Sequence, residues 1–369
     1  MANNKNQHYV PKCYLKAFTL DSDGKAINVY NIDRKKLIPL APVKNQCSRD
    51  YFYGKDEKLE DAIQFLEQSY GIALSELLQT PTKFCEHHKI VLKRFWLFQY
   101  LRTEASSLRA MEMSEGIGKY AGLSAEEFNL GIKDAVNISM HNYAECMQIV
   151  DDLKVCLIKN HTDLPFITSD DPAVLSNRWH LNDVRAKYFS FGLKASGNLL
   201  FLPLTPQLMC LAYDGDIYSI KHKKGWIEIR NKNDVKYFNE HQILNCRANL
   251  FLKEKRHAAF LHESYEAIQS SRNPVRHKMN YAIFDRAEGE YKRYKCIEFN
   301  EENAQKYEDV IIHSETIHHQ PTSWPSIIQW RDRGSVYTDG SRAGYVRRPF
   351  TKNTGSKFYK EAIRTTKFV

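Results

Sequence analysis

The chain has 369 residues with 43% hydrophobic and 12% aromatic content, which is enough to form a sizeable packed core and is unlike a disordered chain. Its longest apolar runs, such as 199–204, fall far short of the ~20 residues that a membrane helix needs. The N-terminal residues lack the apolar core of a signal peptide, so we expect a cytoplasmic protein with no membrane partner.

The net charge of +9 is unevenly placed along the sequence. Residues 331–369 contain ten basic and three acidic side chains, so this segment carries +7 and the rest of the chain is close to neutral. Cations interleaved with aromatic residues are typical of proteins that bind single-stranded nucleic acid. We therefore expect nucleic-acid contacts, to DNA or RNA, from the following residues of this segment: Arg342, Arg347, Arg348, Lys352 and Lys357. A solvated basic tail is the alternative.

The chain begins with a stretch that predicts a short helix and a ligand corner. Pro11 suits the first helical turn, and Val10, Tyr14, Leu15 and Phe18 recur at the spacing of one apolar face. His8 and Tyr9 would then lie near a helix N-terminus, where backbone N–H groups favour anions. They could act as acid and base or hold a phosphate, or they could simply pack against the core.

Helical periodicity dominates from about residue 55 to 150, and strand patterns dominate from about 151 to 300. One helix is predicted over 86–115, apolar almost all round in its middle and therefore central. Strands are predicted at 25–32, 37–40, 198–204 and 208–213, and a turn at 214–216 is predicted to return the last of these as a hairpin into 217–220. Another helix is predicted at 233–253. We predict an α+β protein with one compact domain, 1–320, whose helical part packs on a β-rich part, followed by an irregular basic extension, 321–369.

Several motifs together resemble a family catalogued as domain of unknown function 4238. They are His8–Pro11 with Tyr14, Leu15 and Phe18, the Arg102 helix, Phe166–Pro172, Pro203–Pro206, and Leu244 with Asn245. The likeness covers about residues 7–260. It identifies positions of interest and implies no particular chemistry.

Polar residues in these motifs suggest two roles. Asp170 and Ser169 at a strand end could be a general base or metal ligand with a positioning hydroxyl, or they could form a turn. Arg102 could clamp a phosphate or carboxylate, or pair with a buried acid, which would be Glu60, Glu67 or Asp170. Asp170, Asp171 and Glu67 are the candidate ligands for Mg²⁺ or Mn²⁺.

The leading hypothesis from the sequence is a metal-dependent nuclease of a bacterial antiviral-defence or toxin type, with a protein partner possible in a defence complex. His8, Tyr9, Arg102, Ser169 and Asp170 would form its catalytic site. The alternative is a non-catalytic binding or sensing module for an anionic ligand or a protein partner. Neither of the usual glycine-rich phosphate loops is present, which disfavours ATP or dinucleotide binding by those routes.

Overall fold

The computed structural model describes residues 5–124, 130–187, 189–273, 275–289, 291–300, 306–352 and 354–363. Most long helices precede the main strands, and the predicted α+β class is confirmed. The helices are α1 (Lys12–Leu15), α2 (Glu57–Gln79), α3 (Glu86–Arg102), α4 (Glu104–Tyr120), α5 (Ile132–Cys146), α6 (Arg178–Asn182), α7 (Lys232–Asn245) and α8 (Ala258–Ile268). No helix in these ranges is long and apolar enough to cross a membrane.

The strands are β1 (Asn6–His8), β2 (Ala26–Asn31), β3 (Lys36–Pro42), β4 (Ser48–Asp50), β5 (Lys154–Asn160), β6 (Thr168–Ser169), β7 (Val174–Ser176), β8 (Leu199–Thr205), β9 (Leu208–Tyr213), β10 (Tyr218–Ser219), β11 (Trp226–Ile229), β12 (Asn249–Leu252), β13 (His277–Glu288), β14 (Tyr291–Ile297), β15 (Val310–Thr316), β16 (Gln329–Trp330), β17 (Ser335–Thr338), β18 (Tyr345–Val346) and β19 (Tyr359–Ala362). Two sheets organise the body. One has the order β11-β5-β9-β8-β7, antiparallel except for the β11–β5 pair, and the other is the antiparallel sheet β3-β2-β12-β6.

The five-stranded sheet is buried on both faces. Leu200, Leu202 and Leu204 of β8 pack with the helical layer, while Leu199 and Phe201 point to the opposite side, as successive strand residues must. That opposite side is covered by α7 and by parts of the chain after residue 320. Burial on both faces explains why this strand is a continuous apolar run in the sequence.

The helix predicted over 86–115 is interrupted at Thr103, so α3 ends at Arg102 and α4 begins at Glu104. The extended backbone of Thr103 breaks the helical ladder, and its hydroxyl accepts from the Ser106 N–H at 3.1 Å as an N-cap. The same hydroxyl donates to Asp171 at 2.9 Å. The helix break is therefore fixed by a partner distant in the sequence.

Two other predictions needed correction. The helix predicted over 233–253 ends at Asn245, and the chain continues as β12, which pairs with β2 and β6. The turn at 214–216 does not return β9 as a hairpin, because the strand that follows it, β10, pairs with β16.

The segment from residue 321 to 363, here called the C-terminal segment, contains only short strands and is irregular over most of its length. It is nevertheless anchored to the body. Ile328 and Val336 are buried in the second core cluster, and Glu361 pairs with Arg185 at 2.7 Å. Part of the basic charge of the C-terminal segment therefore lies on chain that is folded against the body.

Candidate functional site

The opening stretch is mainly a structural plug. Val10, Tyr14, Leu15 and Phe18 are fully buried, and α1 is a single turn of four residues. The Tyr14 hydroxyl lies 2.7 Å from both the Thr168 hydroxyl and the Pro203 carbonyl oxygen. The stretch is therefore held against the β-rich part of the chain, next to residues 169–172, which are here called the strand-end motif.

His8 contributes its backbone to this region. Its carbonyl oxygen accepts from Arg102 at 2.5 Å and from the Tyr53 hydroxyl at 3.2 Å. Burial and the nearby Lys12 lower the pKa of its half-buried imidazole to about 4, so the ring is neutral at pH 7.

Arg102 is a fully buried structural guanidinium. Its Nη1 donates to Glu67 at 2.8 Å, its Nε to the Tyr53 hydroxyl at 2.7 Å, and its Nη2 to the His8 carbonyl. Its charged plane also lies 4.3 Å from the centre of the Phe98 ring. The expected buried ion pair is therefore present with Glu67, and protein atoms occupy the fork that a substrate would need.

Tyr9 faces a second acid at the same helix break. Its hydroxyl donates to Glu104 at 3.1 Å, and Glu104 also pairs with Arg49 at 2.6 Å and with Arg247 at 3.6 Å. Burial raises the pKa of Tyr9 above its usual range, and the neighbouring Cys47 and Glu104 raise it further. Tyr9 is accordingly a protonated hydrogen-bond donor.

The strand-end motif is equally well satisfied. Ser169 donates to Gln242 at 2.9 Å. Asp170 accepts three backbone N–H groups, from Arg247, Ala248 and Asn249, at 2.8 to 2.9 Å. Burial raises the pKa of Asp170 to about 6, and these three hydrogen bonds oppose that rise.

Asp171 is buried and accepts from two side chains, Thr103 at 2.9 Å and Arg109 at 2.6 Å. Its own carbonyl oxygen accepts from Asn245 at 2.7 Å. Asp170 thus supports the loop before β12, whereas Asp171 supports α4.

The predicted catalytic residues therefore converge, through the consecutive residues Arg102, Thr103 and Glu104. The convergence is a network in which each predicted metal ligand, Glu67, Asp170 and Asp171, already accepts from protein donors. Within the ranges that the structure describes, no group of three or more His, Cys, Asp and Glu side chains is arranged to hold a metal ion. The Mg²⁺ or Mn²⁺ prediction gains no support from this geometry.

Beside this network lies an open cavity of about 600 Å³ between α4, the α7–β12 turn, α8 and the start of β13, here called the arginine cavity. Its lining includes four arginines: Arg109, Arg247, Arg272 and Arg276. The other polar lining residues are Asp33, Glu112, Asn245, Gln269, Asn273 and His319. The strand-end motif supports two of the arginines, since Asp171 pairs with Arg109 and Asp170 accepts the Arg247 backbone N–H.

The four arginines differ in how they are satisfied. Arg109 forms an ion pair with Asp171, and Arg247 forms one with Glu104. Arg272 donates to backbone carbonyl oxygens, including that of Cys246 at 2.6 Å.

Arg276 is half-buried, and its Nε is buried with no hydrogen-bond partner among the residues that the structure describes. Burial and the positive charge of Arg109 lower the pKa of Arg276 to about 10. The group remains a cation at neutral pH, and a buried N–H that finds no hydrogen-bond partner among the described residues costs free energy.

The positive charge of these arginines also lowers the pKa of two nearby histidines. Both ring nitrogens of His277 are buried and lack hydrogen-bond partners in the described part of the chain, and burial and Arg109 lower its pKa. His319 lines the cavity, and burial and Arg276 lower its pKa to about 3. Both rings are therefore neutral at pH 7, which leaves the arginines as the cations of the cavity.

The sequence reasoning did not select these arginines. Arg109 follows Arg102 by seven residues, which is about two helical turns, so the sequence spacing could have predicted that both lie on one helix face. Arg272 and Arg276 belong to a short basic stretch, 272–277, which carries much less positive charge than the C-terminal segment and for that reason was not selected.

The five residues predicted to contact nucleic acid differ in their exposure to solvent. Arg342, Arg348, Lys352 and Lys357 are exposed. Arg347 is buried, and its guanidinium bonds to Asp152 at 2.7 Å and to the Ile149 carbonyl oxygen at 2.5 Å. Arg347 therefore holds the C-terminal segment on the body and cannot be counted with the exposed cations.

The family model described as "Protein of unknown function (DUF4238)" matches residues 6–256. The chain belongs to the DUF4238 family. Arg109, Asn245 and Arg247 lie within the matched DUF4238 region, whereas Arg272, Arg276 and His319 lie beyond it. Comparison with curated proteins and with solved structures gave no match.

Proposed function

We propose that this DUF4238 protein is a binding or sensing module that holds a small phosphorylated anion in the arginine cavity. The observation that carries the proposal is Arg276, a cation that lines the cavity and whose buried Nε has no hydrogen-bond partner among the described residues. Burying such a group without a partner costs free energy, which an anion would return.

The charge of the cavity interior favours a dianion. Arg109 pairs with Asp171, and Arg247 shares Glu104 with Arg49. Arg272 donates to carbonyl oxygens and to the Cys246 sulfur, and Arg276 has no carboxylate within ion-pair distance in the described ranges. Arg272 and Arg276 are therefore the lining arginines that lack a carboxylate at ion-pair distance in the described ranges, and the lining acids Asp33 and Glu112 are exposed. A guanidinium fork matches phosphate oxygens in geometry as well as charge.

The volume favours a phosphate ester over a bare ion. A cavity of about 600 Å³ is within the range of small-molecule sites, roughly 300 to 1,000 Å³. The lining also offers apolar and amide groups, from Leu108, Tyr265 and Gln269 among others, to the organic part of a ligand.

Calorimetric titration with inorganic phosphate, phenyl phosphate and acetate tests this proposal. Phenyl phosphate should bind most tightly, and Arg276→Gln should weaken it by about tenfold or more. Arg348→Gln is the matched control, because Arg348 is an exposed arginine away from the cavity lining. Equal affinity in wild type and Arg276→Gln would exclude this cavity as the site.

The metal-dependent nuclease is the second candidate, because the same cavity could hold a scissile phosphate and the exposed cations Arg342, Arg348, Lys352 and Lys357 could supply affinity. Its cytoplasmic defence role and a protein partner belong to that proposal. Labelled RNA and DNA are incubated with Mg²⁺ or Mn²⁺ and with chelator. Metal-dependent cleavage that is lost in Arg276→Gln would favour the nuclease. If RNA and DNA stay intact while phenyl phosphate binds clearly, the binding module is the proposal that the result supports.

A further inference from the structure

We propose a second ligand site, for a long-chain carboxylate, in a groove lined by α2. This groove, here called the α2 groove, is an open cavity of about 810 Å³ between the α1 region, the C-terminal half of α2 and the β11–β5 edge of the five-stranded sheet. None of its lining residues lines the arginine cavity, so the two sites are separate.

The walls of the α2 groove are apolar. Leu74, Leu77 and Leu78 of α2 line it from one side, and Trp226 and Ile227 of β11 line it from another. Leu78 is 55% exposed, which is a large solvent-facing fraction for a leucine in a concave wall. Trp226 is also partly exposed, whereas Leu74, Leu77 and Ile227 are buried. Apolar side chains that remain in contact with water in a concave wall favour a ligand that carries an apolar chain.

Small side chains keep the groove open. Gly71 and Ser75, four residues apart on α2, face it together with Ala17. A Cβ added at Gly71 would meet no atom within 4 Å, and the glycine has an ordinary helical backbone. A larger residue at this position would therefore fill the groove without straining the helix.

The charges around the groove favour an anionic head group. Lys16, Lys159 and Lys253 line it, and neither Lys16 nor Lys159 has a carboxylate within ion-pair distance in the described part of the chain. The acid of the lining is Glu228, which already lies 3.2 Å from Arg230. Apolar walls with a lysine rim match an alkyl chain that ends in a carboxylate, whereas a nucleic acid would leave the walls exposed.

Displacement of fluorescent cis-parinaric acid by dodecanoate, dodecan-1-ol and acetate tests the site. Dodecanoate should displace the probe, dodecan-1-ol should do so about tenfold less well, and acetate should not. Gly71→Leu should weaken dodecanoate binding by about tenfold with no loss of thermal stability, because leucine is a better helix former than glycine. The double variant Lys16→Glu/Lys159→Glu should lose the preference for the acid, while Lys12→Glu, at an exposed lysine outside the groove, should behave as wild type.

Unchanged dodecanoate affinity in Gly71→Leu would overturn the proposal, and so would equal displacement by the acid and the alcohol in the wild type. Loss of dodecanoate binding in Arg276→Gln would also overturn it, because the acid would then occupy the arginine cavity. Failure of this site leaves phenyl phosphate binding unaffected, so the two proposals are tested separately.

Discussion

The hydroxyl of Thr103 donates a 2.9 Å hydrogen bond to the carboxylate of Asp171. This contact joins the break between α3 and α4 to the strand-end motif at 169–172, and Asp171 in turn pairs with Arg109 at the arginine cavity. The helix break, the motif and the cavity are thus parts of one hydrogen-bonded unit. The account predicts that a change in this unit alters both stability and anion binding.

Thr103→Val should destabilise the protein by about 1–3 kcal/mol, because the variant loses the N-cap of α4 and a buried hydrogen bond to a charged group. Thr103→Ser keeps the hydroxyl and should lose much less. Urea unfolding followed by circular dichroism measures both variants. A Thr103→Val protein as stable as Thr103→Ser would show that the hydroxyl does not stabilise the break.

Arg347→Ala should release the C-terminal segment from the body. It removes one partner of a buried ion pair and leaves Asp152 uncompensated, which costs about 3–5 kcal/mol when both groups are well desolvated. Asp152 is 23% exposed, so the lower end of that range is expected. Limited proteolysis should cut the C-terminal segment faster in Arg347→Ala than in Arg348→Ala, the adjacent exposed control, and equal rates would contradict the anchoring role.

Acid should weaken the fold partly through His241. This ring is 3% exposed beside Phe201 and Trp324, and burial lowers its pKa from 6.5 to about 3. Between these values the unfolded chain binds a proton that the folded chain does not, so stability falls as the pH decreases from about 6.5. One such group contributes a slope of up to about 1.4 kcal/mol per pH unit.

His241→Phe should remove that slope while keeping an aromatic ring in place. Chemical unfolding at several pH values from 4 to 7 measures it, with the wild type as reference. Asp170 contributes with the opposite sign, because its pKa is raised to about 6 and the folded chain binds the additional proton below that pH. The same pH dependence in His241→Phe and wild type would rule out His241 as a source.

Much of the core could be predicted from the sequence. The continuous apolar run at 199–204 predicts a buried strand, and the middle of α3 is apolar almost all round and packs in the main core cluster. The pairing of Arg102 with Glu67 was among the expected alternatives, because a buried guanidinium requires an acid. These features depend on local pattern or on single-residue chemistry.

The remaining features depend on partners that are distant in the sequence. The helix break is fixed by Asp171, 68 residues after Thr103, and β12 is a strand because β2 and β6 lie on its two sides. The arginine cavity collects Arg109 from α4, Arg247 from the α7–β12 turn, and Arg272 and Arg276 from the connection between α8 and β13, so no single local spacing marks it. Tertiary context of this kind overrides local propensity.

The unfolding free energy of wild type and Arg276→Leu, measured against phenyl phosphate concentration, tests the central claim most directly. Without ligand, Arg276→Leu should be at least as stable as wild type, because it removes a half-buried cation whose Nε has no partner in the described part of the chain. With ligand above its dissociation constant, wild type should gain about 1.4 kcal/mol per tenfold increase in concentration, whereas the gain in Arg276→Leu should begin only at about tenfold higher concentration or more. A gain that begins at the same ligand concentration in both proteins would contradict an anion site at the arginine cavity.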